Sequence, residues 1–411
     1  MSRQTVRIGV TWSNSGWCWL DSRLLYTALQ VWVRQTNDAG GVVVPEDGRR
    51  VPVELLMRDD RSDPETAVAA VEELIELGVD VFCSSGSAEI QTEVVRVTEA
   101  AGVLNLNVGA PDSALFDGSR FHLQCGSSVH TYMASRPPFW KRHGLLRLAQ
   151  IHAELPGWTA THGPMRDYAA AAAGGFDVVL YESVPRQQRW TTAYGPYQAD
   201  FDAWDDLVDR LVRAQPDVVV LGLPAPAEYQ IVRAMRRRGV WFRYLEMLYG
   251  QFMGRVGLGP EDLLYQFHPG WTPDVDPATI NVGGTPADLA AATKRYFPGV
   301  EANPVPRSYV GVAVWAHLVA NAGSLEPERV MAQAHAESGS LVTMEGRLTW
   351  APNGDTIPPE HSWAGIHQIR RHPWTAELQS VLVHPADHAE AEPVFTDLPY
   401  ERRPPPWSGV W

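Results

Sequence analysis

One stretch of the chain decides its fold class: residues 63–87 read DPETAVAAVEELIELGVDVFCSSGS. Asp63 followed by Pro64 is typical of a helix start, because Asp caps the first free N–H groups and Pro fits the first helical turn. The helix that follows has an apolar face formed by Val68, Val71, Leu74 and Ile75. Residues 79–83 are then a nearly continuous apolar run, as expected of a strand that is covered on both faces. A helix followed by such a strand is typical of a parallel sheet with helices on both sides.

The same alternation extends in both directions along the chain. Apolar runs at 6–10 and 51–57 predict strands, and a helix with one apolar face is predicted between them. A further helix and strand are predicted over residues 88–108, and a second alternating block runs over 147–238. The fold class is therefore predicted as α/β, with parallel sheets in two similar lobes that are divided near residues 121–140.

Length and charge limit the kinds of partner. The chain has 411 residues, which fits two domains of roughly 100–200 residues each. Its 34 Lys and Arg residues against 48 Asp and Glu residues give a formal net charge of −14. Because an acidic chain repels phosphate backbones, nucleic-acid binding is not expected.

Cysteine usage and hydropathy set expectations about cofactors and location. Cys18, Cys83 and Cys125 are widely spaced, which predicts neither a disulfide framework nor a paired-cysteine metal site, and no cofactor is expected. No apolar run reaches the roughly 18 residues that a membrane-spanning helix needs. The start MSRQTVRIGV lacks the apolar stretch of a secretory signal, so a cytoplasmic location is expected. The alternative is an extracytoplasmic location, because a mature chain from which the signal had been removed would also lack this apolar stretch.

The strand-to-helix loops are the candidate ligand site, because ligands of open parallel sheets bind beyond the carboxyl ends of the strands. The loops of the first block combine hydroxyl groups, small residues that allow close backbone approach, and indole rings. The candidates are Ser13, Trp17, Trp19, Ser84, Ser85, Gly86, Gly109, Ala110 and Pro111. Two alternatives stay open, namely that the serines only cap a helix and that the tryptophans only pack in the core.

The second block offers fewer candidates of the same kind. Trp158 is placed to stack on a ligand, with packing on its own lobe as the alternative. The other candidates follow predicted strands and are Leu223, Pro224, Glu246 and Tyr249. Glu246 is acidic and could meet an ammonium group, although solvent exposure would explain it as well.

Several ordered motifs resemble one known family. They are NDAGGV at 37–42, RDDRSDP at 58–64, GVD at 78–80, AAGV at 100–103, PDVVVLG at 216–222 and AGSL at 322–325. Together they resemble type I periplasmic binding proteins, and most closely the leucine/isoleucine/valine-binding branch with its amide- and urea-binding relatives. The likeness covers most of residues 5–355. It implies two Rossmann-like lobes that are joined by a three-segment hinge and enclose a ligand.

The resemblance also implies where the lobes divide. The N-terminal lobe is expected to take residues 1–122 with about 251–335, and the C-terminal lobe 123–250 with about 336–370. Residues 371–411 are expected to wrap the surface as a Pro-rich tail.

Carried over by position, the family's first-lobe ligand contacts fall on Ser85 and its neighbours and on 109–111. Its second-lobe contacts fall near Trp158, near Leu223 with Pro224, and near Glu246. The chain departs from the pattern because Gly157 precedes Trp158 where amino-acid binders often have Tyr-Gly, and Pro111 replaces a common hydroxyl residue. These departures favour a ligand with more flat or apolar surface, so an amino-acid-like, amide-like or aromatic compound is expected.

Three functions follow as hypotheses. The first is a non-catalytic solute-binding protein that delivers a small molecule to an ABC permease. The second is a cytoplasmic sensor of the amide-binding type with a regulatory protein as partner, and a homodimer stays open for either. The third is an enzyme on the same scaffold, which would need a nucleophile and a base. Its candidates are Cys18, Cys83, His130, His152 and His162.

Overall fold

The chain forms two compact units in a computed structural model. The described residues are 4–43, 48–84, 87–109, 113–126, 136–154, 174–184, 202–250, 258–269, 275–299, 305–357, 365–375 and 377–395. The first unit takes Met1–Thr131 with Pro273–Ser362, and the second takes Tyr132–Thr272 with Trp363–Trp411. The chain therefore passes from one unit to the other three times, as the predicted three-segment connection requires.

The first unit contains nine strands, of which five form its main sheet, and six α-helices among the described residues. Its strands are β1 (Val6–Trp12), β2 (Val42–Val43), β3 (Arg50–Val51), β4 (Val53–Asp59), β5 (Val81–Ser84), β6 (Asn105–Asn107), β7 (His122–Gln124), β13 (Leu341–Thr343) and β14 (Gly346–Leu348). Its helices are α1 (Trp19–Asp38), α2 (Pro64–Glu76), α3 (Ala88–Ala101), α8 (Pro286–Tyr296), α9 (Arg307–Ala322) and α10 (Pro327–Ala336). The main sheet is parallel in the order β4-β1-β5-β6-β7.

Helices cover both faces of this sheet, as residues 63–87 predict. Asp63 caps α2, where its carboxylate accepts the Thr66 backbone N–H at 2.8 Å. Along β5, Val81 and Cys83 pack with α1 and α9, while Phe82 packs with α2 and α3 on the other face. The continuous apolar run is therefore explained by burial on both sides of the strand.

The second unit is built around one seven-stranded sheet. Its strands are β8 (Arg147–Ala153), β9 (Asp177–Val184), β10 (Val218–Gly222), β11 (Tyr244–Met247), β12 (Phe267–Pro269), β15 (Ile366–Arg371) and β16 (Leu378–His384). Its described helices are α4 (Arg136–Arg142), α5 (Asp202–Ala214), α6 (Ala225–Arg237) and α7 (Pro260–Leu263). The order is β16-β15-β12-β11-β10-β8-β9, with β15 and β16 antiparallel and the other five strands parallel.

The unit boundaries differ from the expected ones on the C-terminal side. β12 belongs to the second sheet, although the first lobe was expected to begin again at about residue 251. The β13–β14 hairpin packs in the first unit through Leu341 and Leu348, although it was assigned to the second lobe. β16 pairs with β15 inside the second sheet, so residues 378–384 are not part of a surface tail. These strands are short or isolated in the sequence, so only their pairing reveals the unit to which they belong.

The predicted α/β class with parallel sheets and flanking helices is confirmed. The helix expected at 159–173 lies outside the described residues. Among the helices that the structure describes, none is both long and apolar enough to cross a membrane.

Candidate functional site

Two loops meet at the carboxyl edge of the first sheet, after β1 and after β4. The Ser13 hydroxyl donates to Asp60 Oδ1 at 2.6 Å, and the backbone N–H of Asn14 donates to Asp59 Oδ1 at 2.9 Å. Ser62 Oγ accepts the Cys18 N–H at 3.0 Å. Ser13 and Asp60 are fully buried, so Ser13 joins the two loops. The expected ligand contact of Ser13 stays a prediction.

Gly16 allows these loops to approach each other closely. Its φ is +85°, and a Cβ atom at this position would lie 2.4 Å from the Arg61 carbonyl oxygen. Because a side chain is excluded both by the backbone conformation and by the neighbour, the sharp loop requires glycine.

The two tryptophans of the first loop have different environments. Trp17 is buried, and its indole Nε1 makes no hydrogen bond within the described part of the chain. Trp19 is half-buried at the first position of α1. Of the two side chains, Trp19 is therefore the more exposed one.

The ends of β5 and β6 bring two further candidates side by side. Ser84 pairs with Asn107 in the parallel ladder, and the Gly109 N–H donates to Asn107 Oδ1 at 3.3 Å. Ser85, Gly86, Ala110 and Pro111 lie outside the described residues. The next residue of the first of these loops, Ser87, is the N-cap of α3 but makes no side-chain capping bond, so helix capping does not account for that hydroxyl.

Sequence reasoning missed a row of buried polar side chains on the α3 face of the same sheet. Asn105 and His122 are paired across β6 and β7, as are Asn107 and Gln124. All four are buried, and the Gln124 amide has no hydrogen-bond partner among the described residues. The signal was present, because polar residues alternate with leucine in both strands. The row ends at the carboxyl edge of the sheet, beside Gly109.

A buried ion pair lies beside the end of β7 in the first unit. Arg307 Nε lies 3.5 Å from Glu345 Oε2, and burial raises the pKa of Glu345 to about 7. A Cβ atom at Gly126 would lie 2.9 Å from Glu345 Oε2, so glycine leaves room for the pair.

In the second unit, Glu246 is engaged by the protein itself. Arg136 Nε donates to Glu246 Oε1 at 2.6 Å, and the Tyr244 hydroxyl donates to Oε2. Burial raises the pKa of Tyr244 well above its usual value, which keeps this hydroxyl protonated as a donor. The structure thus pairs Glu246 with a guanidinium of the protein itself, and Glu246 is not exposed to solvent. Sequence reasoning missed Arg136.

The remaining described candidates of the second unit shape the loops after β10 and β11. Leu223 is fully buried and Pro224 is the N-cap residue of α6, so both fix where the helix starts. The backbone N–H of Tyr249 donates to the buried carboxylate of Glu228 at 3.2 Å, and that of Leu248 does so at 2.8 Å. Trp158 lies outside the described residues.

The groups proposed for catalysis are buried where the structure describes them. Burial raises the pKa of Cys83 to about 12, so its thiol stays protonated and is a poor nucleophile. Cys18 is buried as well, and the His152 ring is buried against Tyr181 with 4.8 Å between ring centroids. His130 and His162 lie outside the described residues. Within the described ranges, no group of three or more His, Cys, Asp or Glu side chains could hold a metal ion.

The chain is similar in structure to solved binding proteins. A leucine binding protein from Thermotoga maritima is 15% identical, with a TM-score of 0.71 over 91% of this chain and 97% of that one. A solute binding protein from Rhodopseudomonas palustris, solved with 3,4-dihydroxybenzoic acid, is 15% identical with a TM-score of 0.69 over 95% and 98%. A type 1 periplasmic binding protein from Bordetella pertussis is 18% identical with a TM-score of 0.72 over 92% and 100%. At these identities the likeness shows the fold.

The sequence itself matches a family model. A search of curated proteins finds no significant match. The model described as "Periplasmic binding protein" matches residues 5–364, which is most of the chain. The chain therefore belongs to the periplasmic binding protein family and has its type I fold.

Proposed function

We propose that this chain is the solute-binding component of an ABC transporter, which binds one small molecule without converting it and delivers it to a membrane permease. The match to the family model over residues 5–364 carries the proposal. The polar loops at the carboxyl edges of both sheets support it, because this is where open α/β sheets bind ligands.

The proposed ligand is a small amino-acid-like, amide-like or aromatic compound. Similar structures are a leucine binding protein, a protein solved with isoleucine and one solved with 3,4-dihydroxybenzoic acid. These compounds share a carboxylate and carry apolar or flat bodies. The half-buried indole of Trp19 and the predicted contact Trp158 are proposed to pack against such a body.

The proposed mechanism is closure of two lobes on the ligand. A ligand shifts such an equilibrium only through its greater affinity for the closed form, and a shift from 1:99 to 99:1 takes about 5.5 kcal/mol. A micromolar ligand provides about 8 kcal/mol in total. Contacts from both lobes are therefore sufficient to drive closure.

A thermal-shift screen followed by calorimetry tests the proposal. The panel contains leucine, isoleucine, 3,4-dihydroxybenzoate, further aromatic acids, small amides and urea. At least one compound should raise the melting temperature, since a hundredfold excess over Kd stabilises the folded state by about 2.7 kcal/mol. The variants Trp158→Ala and Ser85→Ala should each weaken its binding more than tenfold.

Trp374→Ala is the matched tryptophan control. Trp374 is 83% exposed and lies in the turn between β15 and β16. Because β15 runs antiparallel to β12, this turn is at the edge of the sheet opposite the carboxyl ends. The control should bind normally, and equal affinity in all three variants would show that the site has been assigned to the wrong residues.

A further inference from the structure

The Arg136–Glu246 pair is enclosed in the second unit and has an unequal set of partners. The side chains are 4% and 3% exposed. Both carboxylate oxygens of Glu246 have protein donors, from Arg136 Nε and from the Tyr244 hydroxyl. The negative charge is therefore matched and hydrogen-bonded without any other group.

The guanidinium of Arg136 is in the opposite situation. A guanidinium has five N–H donors in a planar fork, and Arg136 uses only its Nε–H. Its two terminal nitrogens make no hydrogen bond to any residue that the structure describes. The side chain is almost enclosed, but its two terminal nitrogens are not fully buried. Their four N–H donors are therefore accessible in the site, and their planar fork fits an acceptor with two oxygens.

The position of the pair fits a ligand site. Glu246 is aligned with Val220, and Val220 with Gln150, so these three side chains share one face of the sheet. Glu246 is one residue from the end of β11, at the carboxyl edge of the sheet. On β8 the same face continues to His152, whose ring packs on Tyr181. Arg136 therefore lies at the edge where the sheet would receive a ligand.

We propose that Arg136 holds the carboxylate of the ligand through its two terminal nitrogens, and that the ligand carries no α-ammonium group; this inference rests on the proposed solute-binding function. A carboxylate fits the planar fork in bidentate fashion. An ammonium group would lie beside a guanidinium of like charge, and the carboxylate of Glu246 is already paired with that guanidinium. Arg136 and Glu246 together thus determine specificity for carboxylic acids over amino acids and amides.

Two matched series of probes test the inference by calorimetry. The aliphatic series is 4-methylpentanoate, 4-methylpentanamide and L-leucine, and the aromatic series is 3-phenylpropanoate, 3-phenylpropanamide and L-phenylalanine. Within each series only the carboxylate or the α-ammonium group changes. In at least one series the acid should bind. The amide and the amino acid of that series should bind at least tenfold more weakly.

Three variants separate recognition from folding. Arg136→Gln alone leaves Glu246 buried without its charge partner, so Arg136→Gln combined with Glu246→Gln is the variant for binding, and its melting curve shows that it is folded. It should bind the acid at least tenfold more weakly than the unaltered chain. Glu246→Gln alone keeps the guanidinium and should bind the acid at least as tightly as the unaltered chain.

The outcomes distinguish this inference from the proposed function. Binding of an amino acid or an amide as tight as that of the matched acid, binding of urea alone, or full affinity in the double variant would overturn the role of Arg136 and leave solute binding intact. Absence of binding by all six probes and by the wider panel would contradict both.

Discussion

Asp60 joins the first-unit loops through a single carboxylate oxygen. The Ser13 hydroxyl and the Ser62 backbone N–H both donate to Oδ1, at 2.6 and 2.8 Å. Oδ2 is buried and has no hydrogen-bond partner among the described residues. Burial therefore raises the pKa of Asp60 to about 6, more strongly than the two donors lower it. At neutral pH, the hydrogen bonds that hold the loops in place therefore require the charged carboxylate of Asp60 to be buried.

This arrangement predicts a pH-dependent effect of Asp60→Asn. Because the folded-state pKa lies above the unfolded value, the folded protein binds more protons between pH 4 and 6, and this contribution to stability is lost as pH rises through that window. Asn keeps the acceptor for Ser13 and Ser62 and has no charge to bury. Between pH 4 and 7, the unfolding free energy of the variant should rise relative to the unaltered chain by about 2–3 kcal/mol.

Chemical denaturation at a series of pH values measures this difference. Asp59→Asn is the control, because Asp59 is a half-buried neighbour that accepts one backbone donor from each of the two loops. A pH-independent difference for Asp60→Asn would refute the assigned cause.

A histidine pair in the second unit has the opposite pH dependence. His268 Nδ1 faces the Pro269 carbonyl at 2.9 Å, so it carries the proton and Nε2 accepts from Ser380. His367 Nδ1 then donates to the same hydroxyl. Burial lowers the pKa of His268 to about 4 and that of His367 to about 3. Both rings are neutral in the folded state.

Acidification should therefore destabilise the second unit through these rings. The unfolded chain binds more protons as pH falls below about 6.5, so stability is lost from there down to the folded pKa. In His268→Gln, which keeps an acceptor near Ser380, the loss between pH 7 and 4.5 should be smaller by about 1–3 kcal/mol. Circular dichroism melts across this range measure it, and an unchanged slope would contradict the prediction.

At the residue scale, the sequence locates candidates but not their partners. Glu246 was found because it follows a predicted strand, whereas Arg136 lies 110 residues away and becomes its partner only through folding. The same holds for Ser13, whose partner Asp60 is 47 residues away. A side chain is a ligand contact or a loop contact depending on such neighbours, which local patterns do not encode.

At the element scale, the close packing of α9 on the first sheet requires glycine at position 311. A Cβ atom at Gly311 would lie 2.7 Å from Val108 Cγ1 and 3.2 Å from Cys125 Cβ. Both neighbours are buried in the core of the first unit, where there is little room to move. The helix and the sheet can approach this closely only because position 311 is glycine.

Gly311→Ala should therefore destabilise the protein by about 1–3 kcal/mol, although Ala favours a helix interior by about 1 kcal/mol over Gly. Denaturant unfolding measures the change. Ala320→Gly on the exposed side of the same helix is the control and should cost about 1 kcal/mol through helix propensity alone. A stabilised Gly311→Ala would mean that the contact with the sheet is looser than described.

Elements were predictable where the sequence repeats a strong pattern. The helix after Asp63 and the strand over 81–84 follow directly from a capping residue and a doubly buried apolar run. β12 has only three residues, including a proline, and its partner β15 is more than ninety residues away in the sequence. β15 in turn pairs with β16. Such pairings depend on the assembled sheet and not on local propensity.

At the scale of the whole molecule, two sheets with polar carboxyl edges are combined with buried thiols, of which burial keeps that of Cys83 protonated. The same loops that could hold a ligand contain Cys18 at the end of a loop fixed by Ser62, and Cys83 within a covered strand. This combination favours reversible binding over covalent chemistry. The sequence predicted the α/β class, and the match to the family model extends the family assignment over residues 5–364.

The central claim is that the chain binds a small molecule reversibly and returns it unchanged. Calorimetry with the compound selected by the thermal-shift screen, followed by mass spectrometry of the ligand released on denaturation, tests it most directly. The account predicts one ligand per chain and recovery of the same compound after prolonged incubation. Recovery of a chemically converted product, or no saturable binding of any compound, would contradict it.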